Sequence, residues 1–300
     1  MNFLVIGSGA REHIIAEKLS ESGSTVYSVL TNLNPGLLEL SAGCHSVTTY
    51  NSRDSQISIL DFAKASSVHC VVIGPEDPLA NGMADMFWKH DIPVVGPTRE
   101  LAQIETSKGF TRDLLERYRI DVSPRFRRFK TMNGASEFID DLDGDYVIKF
   151  DGLMGGKGVK VAGEHLHSKE EALVYCKQLV DSSGTYIIEE KIFGEEFSLM
   201  SFCDGRKLTH MPAVQDHKRA YEGDIGPNTG GMGSYSDSNH LLPFLTEQDI
   251  SDAREINERV FRALIDETGQ GYKGILYGGF MMTGNGIKLI EYNARFGDPE

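Results

Sequence analysis

The first hundred residues alternate between short apolar runs and amphipathic stretches. Residues 2–6 (Asn-Phe-Leu-Val-Ile) predict a buried strand that runs into a glycine turn at 7–13 (Gly-Ser-Gly-Ala-Arg-Glu-His). An amphipathic helix follows through Ile14, Ile15, Lys18 and Leu19 and stops at Gly23. The same periodicities give a strand at 26–30, a helix at 57–65, a third main strand at 69–74, a helix at 82–90 and a strand at 93–96. Strands alternating with helices imply a parallel, doubly wound α/β sheet. Ligands of such sheets sit at the carboxyl ends of the strands, where 7–13 and the turn at 74–78 (Gly-Pro-Glu-Asp-Pro) both fall.

The pattern changes near 97–106, which marks a domain boundary. Thr106-Ser-Lys108 can cap a helix carrying Leu114, Leu115 and Tyr118 on one side. Lys108 then lies in the first turn, where a cation opposes the helix dipole, as a ligand group or simply as a solvated lysine. Next come a strand, a short helix at 134–142, and a strand–glycine loop–strand unit at 146–161 with Lys149, Gly152, Gly155, Gly156, Lys157 and Gly158. Glycines bring backbone N–H groups against an anion without a Cβ in the way, so this unit has the form of a lid over a polyphosphate; a solvent-facing hairpin tip is the plainer alternative. A helix follows at 168–179, with Glu170 and Glu171 in its first turn.

Residues 186–192 form a strand on which Glu189 and Lys191 share one face and Ile188 and Glu190 the other, ending in a turn at 194–196. Acids there suit an adenine amino group and ribose hydroxyls, or a salt-bridge ladder at a sheet edge. Residues 212–235 combine Gln215-Asp-His-Lys-Arg219 with a glycine-dense run, which suits a backbone-lined pocket for a small anionic or zwitterionic substrate, or else a flexible loop. A long helix at 247–266 buries Ile250, Ala253, Ile256, Val260, Leu264 and Ile265. Strands at 276–282 and 287–293 meet at Asn285-Gly286, a strong hairpin signal. Strict alternation would put Ile287, Leu289, Glu291 and Asn293 on one face, with Glu291 and Asn293 as hard oxygen ligands for Mg²⁺ and Arg295 next in line for a substrate anion.

Composition narrows the classes. The 300 residues allow two or three domains, and 40% hydrophobic with 25% charged residues describes an ordinary soluble protein. A formal charge of −14 argues against nucleic acid but not against a small anionic ligand. Cys44, Cys70, Cys176 and Cys203 are too dispersed for a zinc site or a disulfide framework. No apolar run approaches the roughly 18 residues of a membrane helix, and the N-terminus has no basic leader, so a reducing cytoplasm is the expected compartment. The opening Gly7-x-Gly9 lacks the third glycine of a dinucleotide site, Glu12 standing there instead, and the second strand ends Val29-Leu30-Thr31-Asn32 without an acid. Arg11 and the helix N-terminus fit one monophosphate, as on a sugar phosphate.

These motifs, together with residues 74–80, 151–159 and 226–233 and the closing Glu291-Tyr-Asn-Ala-Arg-Phe-Gly-Asp-Pro-Glu300, resemble the ATP-grasp superfamily. Within it they are most similar to the glycinamide ribonucleotide synthetase (phosphoribosylamine–glycine ligase) family. The resemblance spans essentially the whole chain. It implies an N-terminal Rossmann-like substrate domain at 1–104 and an ATP-grasp domain of two α+β subdomains at 105–300, with a lid at about 121–187. It implies ATP with Lys108 and Lys149 on its phosphates, the 151–158 loop (Gly155, Gly156, Lys157, Gly158) closing over them, adenine against Glu189, Glu190, Lys191 and Ile192, and ribose near Glu196. Mg²⁺, or Mn²⁺, would be held by Glu291 and Asn293. The phosphate of 5-phosphoribosylamine is expected near Gly9, Arg11, Glu12 and His13, with Glu76 and Asp77 also facing substrate. Glycine is expected near Asp216, His217, Lys218, Arg219, Asn228, Thr229, Gly230, Gly231 and Arg295. Arg295, Lys149 and Lys218 are the expected catalytic groups of a purine-biosynthetic ligase acting through glycyl phosphate, as a monomer or homodimer. The family normally continues about a hundred residues past Glu300, so a C-terminal domain is expected to be largely absent; a nucleotide-binding fragment or a bicarbonate-using carboxylase are the alternatives.

Overall fold

β1 (Asn2–Ile6) forms where the first apolar run predicted it, at the middle of a parallel sheet. Its neighbours are β2 (Thr25–Leu30), β3 (Gly43–Ser46), β4 (Cys70–Ile73) and β5 (Val94–Val95), in the order β3-β2-β1-β4-β5. The winding reverses between β1 and β4, so a crevice opens at their carboxyl ends, where Gly7 and Gly74 follow directly. β3 and the helix Pro35–Leu40 had no sequence prediction: at 4 and 6 residues they are too short for a period to show. The structure, a computed structural model, describes residues 1–154, 158–182, 184–223 and 225–300; Gly155, Gly156 and Lys157 of the predicted phosphate loop lie outside the described residues.

Ser107 caps the helix Lys108–Arg117 by accepting a hydrogen bond from the Phe110 N–H, as its side-chain type predicted. Beyond the helix, β6 (Phe126–Phe129), β7 (Tyr146–Phe150), β8 (Val159–Val161) and β9 (Tyr186–Glu190) build an antiparallel sheet in the order β6-β9-β7-β8. Tyr146, Ile148, Tyr186 and Ile188 bury one face of it against the helices Ala135–Asp140 and Lys169–Ser182, giving this unit a core of its own. The opposite face presents Lys149 and Glu189, because alternation along each strand sends them away from that core.

β10 (Glu195–Asp204) and β11 (Leu208–Asp216) open a second antiparallel sheet. A small hairpin, β12 (Arg219–Tyr221) and β13 (Ile225–Asn228), projects from it before β14 (Ser234–Tyr235), β15 (Lys273–Thr283) and β16 (Gly286–Asn293) complete the order β14-β11-β10-β15-β16. The helix Glu247–Thr268 lays Ile250, Ala253, Ile256, Val260 and Leu264 on this sheet, as its periodicity predicted, and adds a fully buried Asn257. That layer shares one continuous core with the N-terminal sheet, from Leu4 and Ile73 through Leu276 and Phe280. The two sheets touch backbone to backbone where a Cβ on Gly274 (φ +128) would lie 2.8 Å from the Gly96 nitrogen, so only glycine allows the approach. Among the described residues no helix is long and apolar enough to cross a membrane.

One expected face is corrected. Gly279 pairs with Glu291 and Phe280 with Leu289, so Ile290 is an extra residue, a β-bulge that shifts the alternation by one. Leu289 therefore packs in the core with Phe280, and Tyr292 reaches the helix, its hydroxyl donating to Asn257 Oδ1 at 2.8 Å. Glu291 and Asn293 turn the other way, towards the face of the β6-β9-β7-β8 sheet that carries Lys149.

Candidate active site

A cleft of about 360 Å³ runs between the lid sheet and β16. Lys108, Lys149, Glu291, Asn293 and Arg295 all line it, together with Gly152 and Gly158 at the two ends of the glycine loop and with Lys218, Thr229 and Gly230. Lys108 Nζ donates to the Gly152 carbonyl at 3.2 Å. Burial lowers the Lys108 pKa, the nearby Lys149 adds to that, and Glu291 opposes it. The start of the loop is fixed by Asp151, whose Oδ1 accepts from Ser107 Oγ and the Gly109 N–H, both at 3.0 Å, while its Oδ2 pairs with Arg128 at 2.9 Å. A carboxylate on two groups at a helix N-terminus is well placed electrostatically, and it ties the loop to the helix that carries Lys108.

Glu291 is exposed to the cleft and, among the described residues, makes no ion pair. Asn293 stands two residues on, where its Oδ1 accepts from Arg295 Nη2 at 3.4 Å. A carboxylate beside an amide oxygen fits Mg²⁺, which is content with one or two protein oxygens when phosphates and water supply the rest. Among the described residues no cluster of three or more His, Cys, Asp or Glu could hold a metal alone, so any cation here would share its shell in that way. Arg295 Nε lies 3.3 Å from Glu76 and 3.2 Å from Glu105, but out of line for a hydrogen bond, and that nitrogen has no hydrogen-bond partner among the described residues. Burial raises the Glu105 pKa, and Arg295 pulls it back. Glu105 Oε2 also accepts from the Ala294 N–H at 2.9 Å, which anchors the end of β16.

Several sequence expectations change in detail. Glu189 does not stand open to adenine: it is 2% exposed, with Oε1 taken by Arg112 Nε at 2.7 Å and Oε2 by Lys149 Nζ at 2.7 Å. Burial alone would raise its pKa, but Arg112 and then Lys149 bring it down to about 2. Lys191 and Ile192 lie past the end of β9, and Lys191 Nζ donates to the Ala162 carbonyl. Glu190 Oε2 accepts from the Arg125 N–H. Glu196 pairs with Lys218 at 2.9 Å, and Asp216 lies 3.7 Å from the same ammonium. Burial works against the Lys218 charge, yet these two carboxylates raise its pKa above the usual lysine range.

At the crevice, Glu12 is a built-in part of the fold. It is 3% exposed, its Oε2 accepts from the Gly9 N–H at 2.7 Å, and its Oε1 pairs with Arg11 at 2.7 Å. Arg11 also donates to the Phe296 carbonyl at 3.3 Å, joining the first loop to the last segment. His13 packs against Gly36, and Asp77, beside Glu76, has its pKa raised by burial. In the glycine-rich stretch His217 stacks on Tyr235, Arg219 pairs with Glu164 of the lid at 2.7 Å, and Thr229 Oγ1 donates to the Lys218 carbonyl. Gly231 lies against Pro299, and Asn228 is exposed at the end of β13. Arg112 and Asp151 were missed; both act through partners far away in the chain, which no local pattern marks.

A lid sheet facing a strand that carries a carboxylate and an amide, with two lysines between them, defines the ATP-grasp class. The crystal structure of phosphoribosylamine–glycine ligase from Thermotoga maritima superposes with a TM-score of 0.79 and 29% identity, covering 100% of this chain and 70% of that one. The ADP complex of N5-carboxyaminoimidazole ribonucleotide synthetase shares the fold at a TM-score of 0.72 and 18% identity, covering 98% and 70%. Family profiles match throughout: phosphoribosylglycinamide synthetase, N domain, over residues 1–105, and its ATP-grasp (A) domain over 106–300. The chain belongs to the phosphoribosylglycinamide synthetase family. Phosphoribosylamine–glycine ligases of Methanosarcina barkeri and Methanothermobacter thermautotrophicus are 45% and 48% identical over 302 and 304 residues. Those matches take in 100% of this chain and 68% of each relative's length.

Proposed function

We propose that this chain is an ATP-dependent ligase joining glycine to 5-phosphoribosylamine, the activity its relatives' names describe. The observation that carries this reading is that Lys108 of the helix Lys108–Arg117, Lys149 of β7, Glu291 and Asn293 of β16, and Arg295 just beyond it line a single cleft. Lys108 and Lys149 hold the nucleotide phosphates, with Gly152 and Gly158 beside them in the cleft. Glu291 and Asn293 would hold Mg²⁺ or Mn²⁺, which when bound would neutralise charge on the transferring phosphoryl group. Arg295, held by Glu76 and Glu105, faces the glycine carboxylate, and the 215–233 stretch with Lys218 and Thr229 closes the far side.

A carboxylate is a poor electrophile, so a glycine oxygen first attacks the γ-phosphorus, giving glycyl phosphate and ADP. The amine of phosphoribosylamine then attacks the acyl carbon; phosphate leaves, the amine loses a proton, and an amide remains. Lys108 and Lys149 stabilise the charge that builds up on the phosphoryl oxygens. Excluding water protects the acyl phosphate, the task of a lid whose polar face closes on β16. The test is phosphate release from Mg·ATP with glycine, with and without phosphoribosylamine. Release that needs both substrates supports the ligase; release that needs bicarbonate instead refutes it.

A further inference from the structure

In the wall of the cleft behind Lys149 lies a buried charge cluster of which the chemistry above uses only Lys149 itself. Arg112, 2% exposed, is the fifth residue of the helix Lys108–Arg117. Its guanidinium grips Glu189 of β9 with two nitrogens, Nε to Oε1 at 2.7 Å and Nη2 to Oε2 at 3.1 Å. The same side chain donates to two carbonyls of β16, Nη1 to Leu289 at 3.2 Å and Nη2 to Ile290 at 2.9 Å. Lys149 Nζ meets both of these partners, Glu189 Oε2 at 2.7 Å and the Ile290 carbonyl at 3.4 Å.

Leu289 and Ile290 form the bulge that turns Glu291 towards the cleft. One planar, five-donor fork thus holds the carboxylate that orients Lys149 and the backbone kink that orients Glu291, a geometry a lysine's point charge cannot reproduce. We propose that Arg112 is a positioning residue: through Glu189 and the bulge carbonyls it sets where Lys149 stands relative to the Glu291–Asn293 pair. The role extends the nucleotide-and-metal reading of the cleft and rests on it. Arg112 acts through Glu189 and the bulge carbonyls, so its effect falls on how strongly nucleotide and metal bind together. Partners that orient metal ligands from behind typically change metal affinity about 10- to 100-fold when removed.

The test is calorimetry of ATP binding to the full chain across a Mg²⁺ series, for wild type, R112M, R112K and R112M/E189Q, with melting midpoints recorded alongside. The double variant removes the Arg112–Glu189 ion pair as a unit and leaves Lys149 the glutamine oxygen and the Ile290 carbonyl as partners, so it keeps the test open if R112M does not fold. We expect the Mg²⁺ midpoint to rise about 10- to 100-fold in R112M and R112M/E189Q and less in R112K, with metal-free ATP affinity changing far less. A wild-type Mg²⁺ midpoint in either folded neutral variant overturns the proposal, as does a loss that follows the melting midpoint and is equal with and without Mg²⁺. Absence of ATP binding by the wild-type chain overturns the reading of the cleft itself, and this proposal with it.

Discussion

Substituting Gly74 by alanine tests the structural role of Glu12 at the crevice. A Cβ at residue 74 would lie 1.9 Å from Glu12 Oε1 and 2.5 Å from its Cδ, far inside contact distance. Glu12 cannot swing away cheaply, because its carboxylate is held by the Gly9 N–H and by Arg11. Overpacking of this kind costs about 1–3 kcal/mol, so G74A alone is destabilised by that amount. Glu12→Ala loses the helix cap and its ion pair, a further cost of about 1–2 kcal/mol. In the double variant the clash is gone because the clashing atoms are gone. Its destabilisation then matches that of E12A, and the cycle returns a coupling of about 1–3 kcal/mol. Urea unfolding followed by the fluorescence of Trp88, the chain's single tryptophan, measures all four proteins in the N-terminal region. Strict additivity would show that Glu12 does not fill the space beside Gly74 and would return it to the candidate substrate contacts.

Other outcomes follow from the same geometry. Glu189 is bound below its unfolded pKa, 4.5 against about 2, so it contributes roughly 3 kcal/mol that is fully present above pH 4.5 and fades as pH falls towards 2. Urea unfolding of wild type and R112M/E189Q should therefore converge across that acid window. Asn257→Ala removes a donor to Leu199 O and Ser201 Oγ and leaves the Tyr292 hydroxyl without its partner. That costs about 2–4 kcal/mol and should appear as a clear drop in melting temperature. The lowered pKa of Lys108 makes its charge disappear at lower pH than that of a free lysine, so ATP affinity should decline early on the alkaline side, and Lys108→Met should abolish that limb. Glu291→Ala should abolish metal-dependent turnover; an unchanged rate would refute its role.

Much of this was legible in the chain. The β1 run, the capped helix at Lys108, the Asn285-Gly286 turn and the buried stripe of Glu247–Thr268 all carry local signals: period, cap type or turn chemistry. The face of β16 was misread because its bulge falls at Ile290, an ordinary strand residue that nothing in the sequence sets apart. Arg112 and Glu189 are 77 residues apart, so only the fold could join them. The sequence shows Glu12 standing in place of the third glycine of a dinucleotide site, but its burial depends on Gly74 arriving from another strand. Local chemistry named the lysines and the Glu291–Asn293 pair; tertiary contacts decided which acids face a ligand and which hold the frame.

The most direct measurement of the central claim follows the oxygen. Glycine labelled with ¹⁸O in its carboxylate is incubated with the chain, Mg·ATP and phosphoribosylamine, and the released phosphate is analysed by mass. Transfer through glycyl phosphate predicts one labelled oxygen in each phosphate formed. Unlabelled phosphate, or phosphate formed without any need for glycine, would contradict the account.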